Sequence, residues 1–166
     1  MIFILILGID PGLAIVGYSL IEKKGNKFNV FEYGVIRTPA SQVNCDRLKS
    51  IYKELDIIIK DFGPDEMAVE ELFFNKNVKT AIKVGQARGV ILLAGAQSGL
   101  KISEYTPLQI KQAVVGYGRA DKKQVQQMVK ALLSLSELPR PDDAADALAV
   151  AICHGNSLGL NRSIIK

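Results

Sequence analysis

Residues 2–9, IFILILGI, form an almost unbroken apolar run that stops at Asp10-Pro11-Gly12. A strand that is apolar at successive rather than alternate positions must be covered on both faces. The run is too short to span a membrane, which takes about 20 apolar residues. It also lacks the basic n-region and small-residue cleavage site of a secretory leader. What remains is a buried strand of about six residues. At roughly 100–200 residues per domain, the 166-residue chain reads as one domain over residues 1–166, with a tail from about residue 157.

The rest of the chain supplies the layers. Residues 14–21 and 27–37 read as two further strands, joined at Gly25-Asn26 into an antiparallel meander. In 44–61, Leu48, Ile51, Tyr52, Leu55, Ile58 and Ile59 recur at three and four, the period of one helix face, and Gly63-Pro64 ends the helix. A short strand at 66–70, an apolar helix at 80–97 and a strand at 101–105 follow. Thr106 reads as an N-cap with Pro107 at the first helical position of a short helix to Val115. Asp121 caps a helix over 122–133, and a last helix runs from 142 to 154. The expected fold is α/β, with a mixed five-stranded sheet flanked by helices.

Composition excludes several chemistries. Hydrophobic residues make up 48% and charged residues 23%, which rules out a disordered, collagenous or coiled-coil chain. His154 is the single histidine, and the two cysteines, Cys45 and Cys153, lie far apart. A zinc cage of about four Cys and His ligands is therefore out. Two separated thiols and no secretory signal suit a reducing cytosol, so the expected location is cytoplasmic, with no membrane partner.

Carboxylates stand at informative places instead. Asp10 ends the first strand; a plain turn aspartate also suits Asp-Pro-Gly. Glu70 and Glu71 close the fourth strand and face opposite ways, so one at most can share a face with Asp10. Solvated strand-end acids would read the same. Asp142, Asp143 and Asp146 open the last helix. Stabilisation of the helix N-terminus, ~0.3–1 kcal/mol per acid, accounts for Asp142 better than for Asp146, which sits deeper among Ala and Leu. Taken together, strands one and four and the last helix can converge on one carboxylate cluster. Such a cluster repels itself unless cations neutralise it, and oxygen ligands select Mg²⁺ or Mn²⁺. Two such ions about 3.5–4 Å apart can promote phosphoryl transfer without histidine or cysteine.

GIDPG at 8–12 with GY at 17–18, VEELF at 69–73, KVGQARGV at 83–90, KQAVVGYGRADKKQVQ at 111–126 and DAADALAVAI at 143–152 form a spaced set along nearly the whole chain. As a set they closely resemble the RuvC family of Holliday-junction resolvases. The resemblance implies a ribonuclease-H-like fold and a crossover junction endodeoxyribonuclease acting in DNA recombination and repair. It implies a homodimer that nicks two symmetric strands of four-way junction DNA, and RuvA–RuvB as the associated branch-migration complex. It further implies two-metal-ion hydrolysis with Mg²⁺, Mn²⁺ substituting, two ions per active site, leaving 5′-phosphate and 3′-hydroxyl ends.

Carried over residue by residue, the family's acidic tetrad falls on Asp10, Glu70, Asp143 and Asp146, as catalytic and metal-holding residues. Some relatives carry histidine where Asp143 stands. Phe73 matches an aromatic that stacks on a base near the junction centre, with a core aromatic as the other reading; Phe74 beside it varies within the family. Lys111 and Lys122 match family lysines that contact DNA, although solvated helix lysines would look alike. Lys76, Lys79, Arg119 and Lys123 complete the DNA-binding candidates, and Arg88 reads as structural. The helix over 80–97, with Gly85, Gly89, Ala94 and Gly95, is the candidate dimer interface.

Charge distribution agrees with this picture. Residues 71–130 hold ten Lys or Arg against three acids, so the net +4 of the chain conceals a basic middle. It is flanked in sequence by the segments that supply the four acids. Two rival readings are a catalytically idle junction-binding protein and a fragment of an actin-like phosphotransferase, whose first hairpin also reads GxDxG. Four intact acids argue against the first, and the chain's length against the second.

Overall fold

The computed structural model describes residues 3–72 and 78–163. Phe73, Phe74 and Lys76 therefore lie outside the described residues. The sheet has five strands: β1 (Phe3–Asp10), β2 (Ile15–Lys24), β3 (Lys27–Arg37), β4 (Glu66–Glu70) and β5 (Lys101–Tyr105). Their spatial order is β3-β2-β1-β4-β5. β1–β2 and β2–β3 pair antiparallel, as the meander predicts, while β1–β4 and β4–β5 pair parallel. The parallel pairs are reached through α1 (Asn44–Phe62) and α2 (Val78–Gln97).

β1 lies at the centre, and its parity divides the core. Leu7 and Ile9 point toward α1 and α2, where they meet Ile51, Leu55, Met67, Val69, Ala87 and Ile91. Ile6 points the other way, toward α3 (Pro107–Val115), α4 (Lys122–Leu132) and α5 (Asp142–Ser163), where Val114, Val129, Leu148 and Ile152 pack. Burial on both faces explains the apolar run: each fully buried Ile or Leu contributes about 1.5–3 kcal/mol.

α5 lies close over β1 and β2, where Gly8 and Gly17 leave room for its backbone. A Cβ on Gly8 would collide with the Ala147 carbonyl and Ala151, and a Cβ on Gly17 with the Asp143 carbonyl. Ser19 Oγ, fully buried, donates to the Ala147 carbonyl at 2.9 Å. These contacts bring the N-terminal end of α5 against the ends of β1 and β2.

Two helix starts follow their sequence signals. Thr106 and Gln109 exchange side-chain-to-backbone hydrogen bonds in a capping box, and Asp121 and Gln124 repeat it at α4. One boundary differs from expectation. α5 does not stop at His154 but continues to Ser163, through residues 157–163 that read as tail. Its continuation carries Asn156, whose amide donates to the Ala113 carbonyl of α3.

Candidate active site

Asp10 ends β1 and Glu70 ends β4, strands that pair in parallel, so both acids arrive at one end of the sheet. Asp10 shares the pleat face of Ile6 and Gly8, which α5 covers. Glu70 shares that of Ala68, in the same core. Glu71 is turned away from this face and ties strand ends together, its N–H donating to the Tyr105 carbonyl at 2.8 Å. Above the two strand ends stand the first two turns of α5, with Asp143 and Asp146. The structure thus brings the four predicted acids together.

Their electrostatics show the crowding. The Asp10 carboxyl is pushed up to about 8, first by burial and then by the charges of Glu70, Asp146 and Asp143; it also shares a hydrogen bond with Glu70. Glu70 is raised by burial and by Asp146, against the hydrogen bond to Asp10 and the pull of Lys111 and Lys122. Asp146 is raised by burial, against Lys122.

Lys122 is the cation already present. Its Nζ lies 3.2 Å from Asp146 Oδ2 and 3.5 Å from Asp142 Oδ2. Burial works against its charge, but the two aspartates outweigh burial and raise its pKa. Asp142 is held outward by Arg140, 2.8 Å away, which agrees with its reading as the helix-start neighbour.

Two grooves meet at the acids. The first, about 260 Å³, is lined by Glu70, Pro107, Ile110, Lys111, Lys122 and Asp146. The second, about 410 Å³, lies on the side of Asp143 and is lined by residues that include Gly12, Leu13, Arg47, Lys83 and Val84. Arg47 and Lys83 escaped sequence reasoning, because a basic residue on a helix looks the same whether it faces solvent or a groove. Arg47 is held by bonds from Nε and Nη2 to Thr38.

Among the predicted DNA-binding residues, Lys111 and Lys122 sit at the acids. Lys123 does not: it lines a separate groove with Tyr117, Gln124 and Met128, because adjacent helix positions point about 100° apart. Arg119 and Lys79 are exposed. Arg88 is structural, as expected: it pairs with Glu104 and its Nε lies 3.4 Å from the Glu70 carbonyl, bracing the end of β4. In α2, Ala94 and Gly95 are buried and Gly95 packs on Met67 and Ile102, so they face the sheet. The outward stripe is Val78, Ile82, Gly85, Gly89 and Leu93, all exposed.

The donor set suits a divalent cation: four carboxylates, all oxygen ligands, with more negative charge than one lysine offsets. Among the described residues, no three His, Cys, Asp or Glu side chains already stand as a closed metal-ligand set.

An acid-lined cleft with a basic rim, at one end of a ribonuclease-H-like sheet, suits the class of metal-dependent nucleases. The family model for crossover junction endodeoxyribonuclease RuvC matches residues 6–154. The protein of that name from Halothermothrix orenii is 70% identical over 157 residues, covering 95% of each chain. The one from Alkaliphilus oremlandii is 62% identical over 153 residues, covering 92% of this chain and 93% of the relative. Thermus thermophilus RuvC in complex with Holliday junction substrate superposes with a TM-score of 0.90 at 34% identity, covering 95% of this chain and 96% of that one. The chain belongs to the crossover junction endodeoxyribonuclease RuvC family.

Proposed function

We propose that this chain resolves four-way DNA junctions by hydrolysing one phosphodiester in each of two symmetric strands, with Mg²⁺ or Mn²⁺ and two ions per active site. The observation that carries the reading is the meeting of Asp10, Glu70, Asp143 and Asp146 between two grooves that both bear cationic side chains. When bound, divalent ions supply the charge that activates water and stabilises the leaving 3′ oxygen.

This chain's residues do the rest. The four acids, on strand ends and the start of a helix, would hold the ions. Lys111 and Lys122, on the rim of the first groove, neutralise phosphate charge. Arg47 and Lys83 serve the second groove in the same way. Phosphate contacts of this kind make binding fall steeply with salt. The products carry 5′-phosphate and 3′-hydroxyl ends.

The working unit is a homodimer, since a two-fold axis presents two sites to a junction with matching pseudo-symmetry. The exposed apolar and glycine stripe Val78, Ile82, Gly85, Gly89 and Leu93 of α2 is its interface, and the missing Cβ atoms let a second helix approach closely. Phe73 stacks on a base at the junction centre. RuvA–RuvB is the branch-migration partner, and the cytoplasm is the location; no helix among the described residues is long and apolar enough to cross a membrane.

The test is incubation with a synthetic four-way junction and a matched linear duplex, reading nick positions on all strands. Symmetric nicks in the junction alone, abolished by EDTA and restored by Mg²⁺, are expected. Cleavage that survives chelation refutes the metal-dependent reading, and retained binding without nicks identifies an idle junction binder.

A further inference from the structure

His154 is the single histidine of the chain, is 1% exposed, and takes no part in the acidic cluster. Its Nδ1 lies 2.7 Å from the Tyr105 hydroxyl and its Nε2 lies 2.8 Å from Glu66 Oε2. Glu66 Oε2 in turn lies 3.3 Å from Lys101 Nζ at the surface. Burial lowers the imidazole pKa, outweighing the opposing pull of Glu66, so the ring is neutral near pH 7. One proton arrangement satisfies every group: the Tyr105 O–H donates to Nδ1, and Nε2–H donates to the Glu66 carboxylate.

The position of this chain of bonds matters more than its chemistry. Glu66 and Glu70 occupy the same face of β4, four residues apart, or about 13 Å at 3.3 Å per residue. Asp146 and His154 are eight residues apart on α5, about 12 Å at 1.5 Å per residue. Strand and helix run past each other in opposite senses, with Glu70 and Asp146 at one end of the contact and Glu66 and His154 at the other. Tyr105 adds the neighbouring strand, since its register partner in the sheet is Glu70.

Over β1 and β2, α5 is seated by Ala144, Ala147 and Ala151 against Gly8 and Gly17, by the Ser19 hydrogen bond to the Ala147 carbonyl, and by Leu148 and Ile152 in the core. Toward β4 and β5 a polar tie is His154, through Glu66 and Tyr105. A buried polar contact of this kind admits one register where apolar surfaces admit neighbouring ones.

We propose that the Tyr105–His154–Glu66 chain is a register latch that fixes α5 axially along β4 and so sets the separation of Asp146 from Glu70. His154 is a positioning residue on this account, and the proposal rests on the metal-dependent nuclease reading above. A misplacement of about 1 Å at reacting groups costs on the order of 10²-fold in rate.

The decisive variant is the triple substitution Glu66→Leu, Tyr105→Phe and His154→Leu, which leaves no buried member of the chain unpaired. Junction binding in EDTA should stay within about twofold of wild type, and the melting temperature within a few degrees. Single-turnover cleavage with Mg²⁺ should fall about 10–100-fold. The rise in melting temperature on adding Mg²⁺ without DNA should shrink by about half or more, a readout that needs no cleavage. Glu66→Gln alone, which still accepts from Nε2–H, should keep a near-wild-type rate. A triple variant that cleaves at the wild-type rate, or that shows the full Mg²⁺-induced shift, overturns the latch. Should the triple variant melt early, Tyr105→Phe decides: a severalfold slower rate at unchanged melting temperature supports the latch, and an unchanged rate overturns it. Wild-type protein in the same assay tests the nuclease reading separately.

Discussion

The crowded carboxylates make a quantitative prediction about the metal-free protein. Asp10 titrates near 3.8 in an ordinary environment and near 8 in the fold. A carboxyl whose folded pKa is raised binds its proton more tightly in the native state than in the unfolded chain. Below about pH 4 it leaves stability unchanged. As pH rises from about 4 through 8 the native state loses stability, and above 8 the loss is complete. Asp10 and Glu70 share this titration, and at 1.36 kcal/mol per pH unit the loss between pH 5 and pH 8 is on the order of a few kcal/mol. For a chain of this size, 1 kcal/mol moves the melting temperature by roughly 2–4 °C, so the fall in EDTA is on the order of 10 °C. The assay is thermal unfolding in EDTA from pH 5 to 9, with Asp10→Asn in parallel. Asparagine keeps the shape and removes the titration, so the variant should be flatter across this range and more stable than wild type at pH 8. Mg²⁺ should restore wild type at pH 8 and do little at pH 5. An Asp10→Asn protein no more stable than wild type at pH 8 in EDTA would refute the account of a strained, uncompensated acid.

Further outcomes follow from other positions. Asp146→Asn should keep junction affinity within about twofold while cleavage is lost, because Lys122 retains Asp142 as a partner; lost binding in a gel-shift titration would give Asp146 a structural role instead. Gly17→Ala should lose several kcal/mol, since its Cβ meets the backbone carbonyl of Asp143 rather than a flexible side chain; wild-type urea unfolding would contradict the close seating of α5. A thiol reagent should label the exposed Cys45 quickly and Cys153 only on unfolding, because burial holds the Cys153 thiol up to about 12; two fast thiols in the native protein would disprove it.

Much of the architecture was legible because its causes are local. The apolar run of β1, the three-and-four spacing of Leu48 through Ile59 and the caps at Thr106 and Asp121 each report on neighbours within a few residues. The end of α5 was not legible: past His154 the helix carries Asn156, whose partner on α3 lies 43 residues away in sequence and leaves no local pattern. The four acids of the site were legible as a set through their motifs, and the opposed facing of Glu70 and Glu71 through strand parity.

The sequence by itself therefore determined the element order, the doubly covered first strand and which acids are candidates to converge, all properties of composition, period and motif. The resemblance had already set Lys111 and Lys122 near those acids, and the tertiary structure decided the rest of the basic surroundings. It separated Lys122 from Lys123, brought in Arg47 and Lys83, and turned Ala94 and Gly95 away from the outer face of α2. It also joined His154 to Glu66 and Tyr105 across 88 and 49 residues. Such partnerships depend on how helices seat on a sheet, and no local pattern records where a distant surface will arrive.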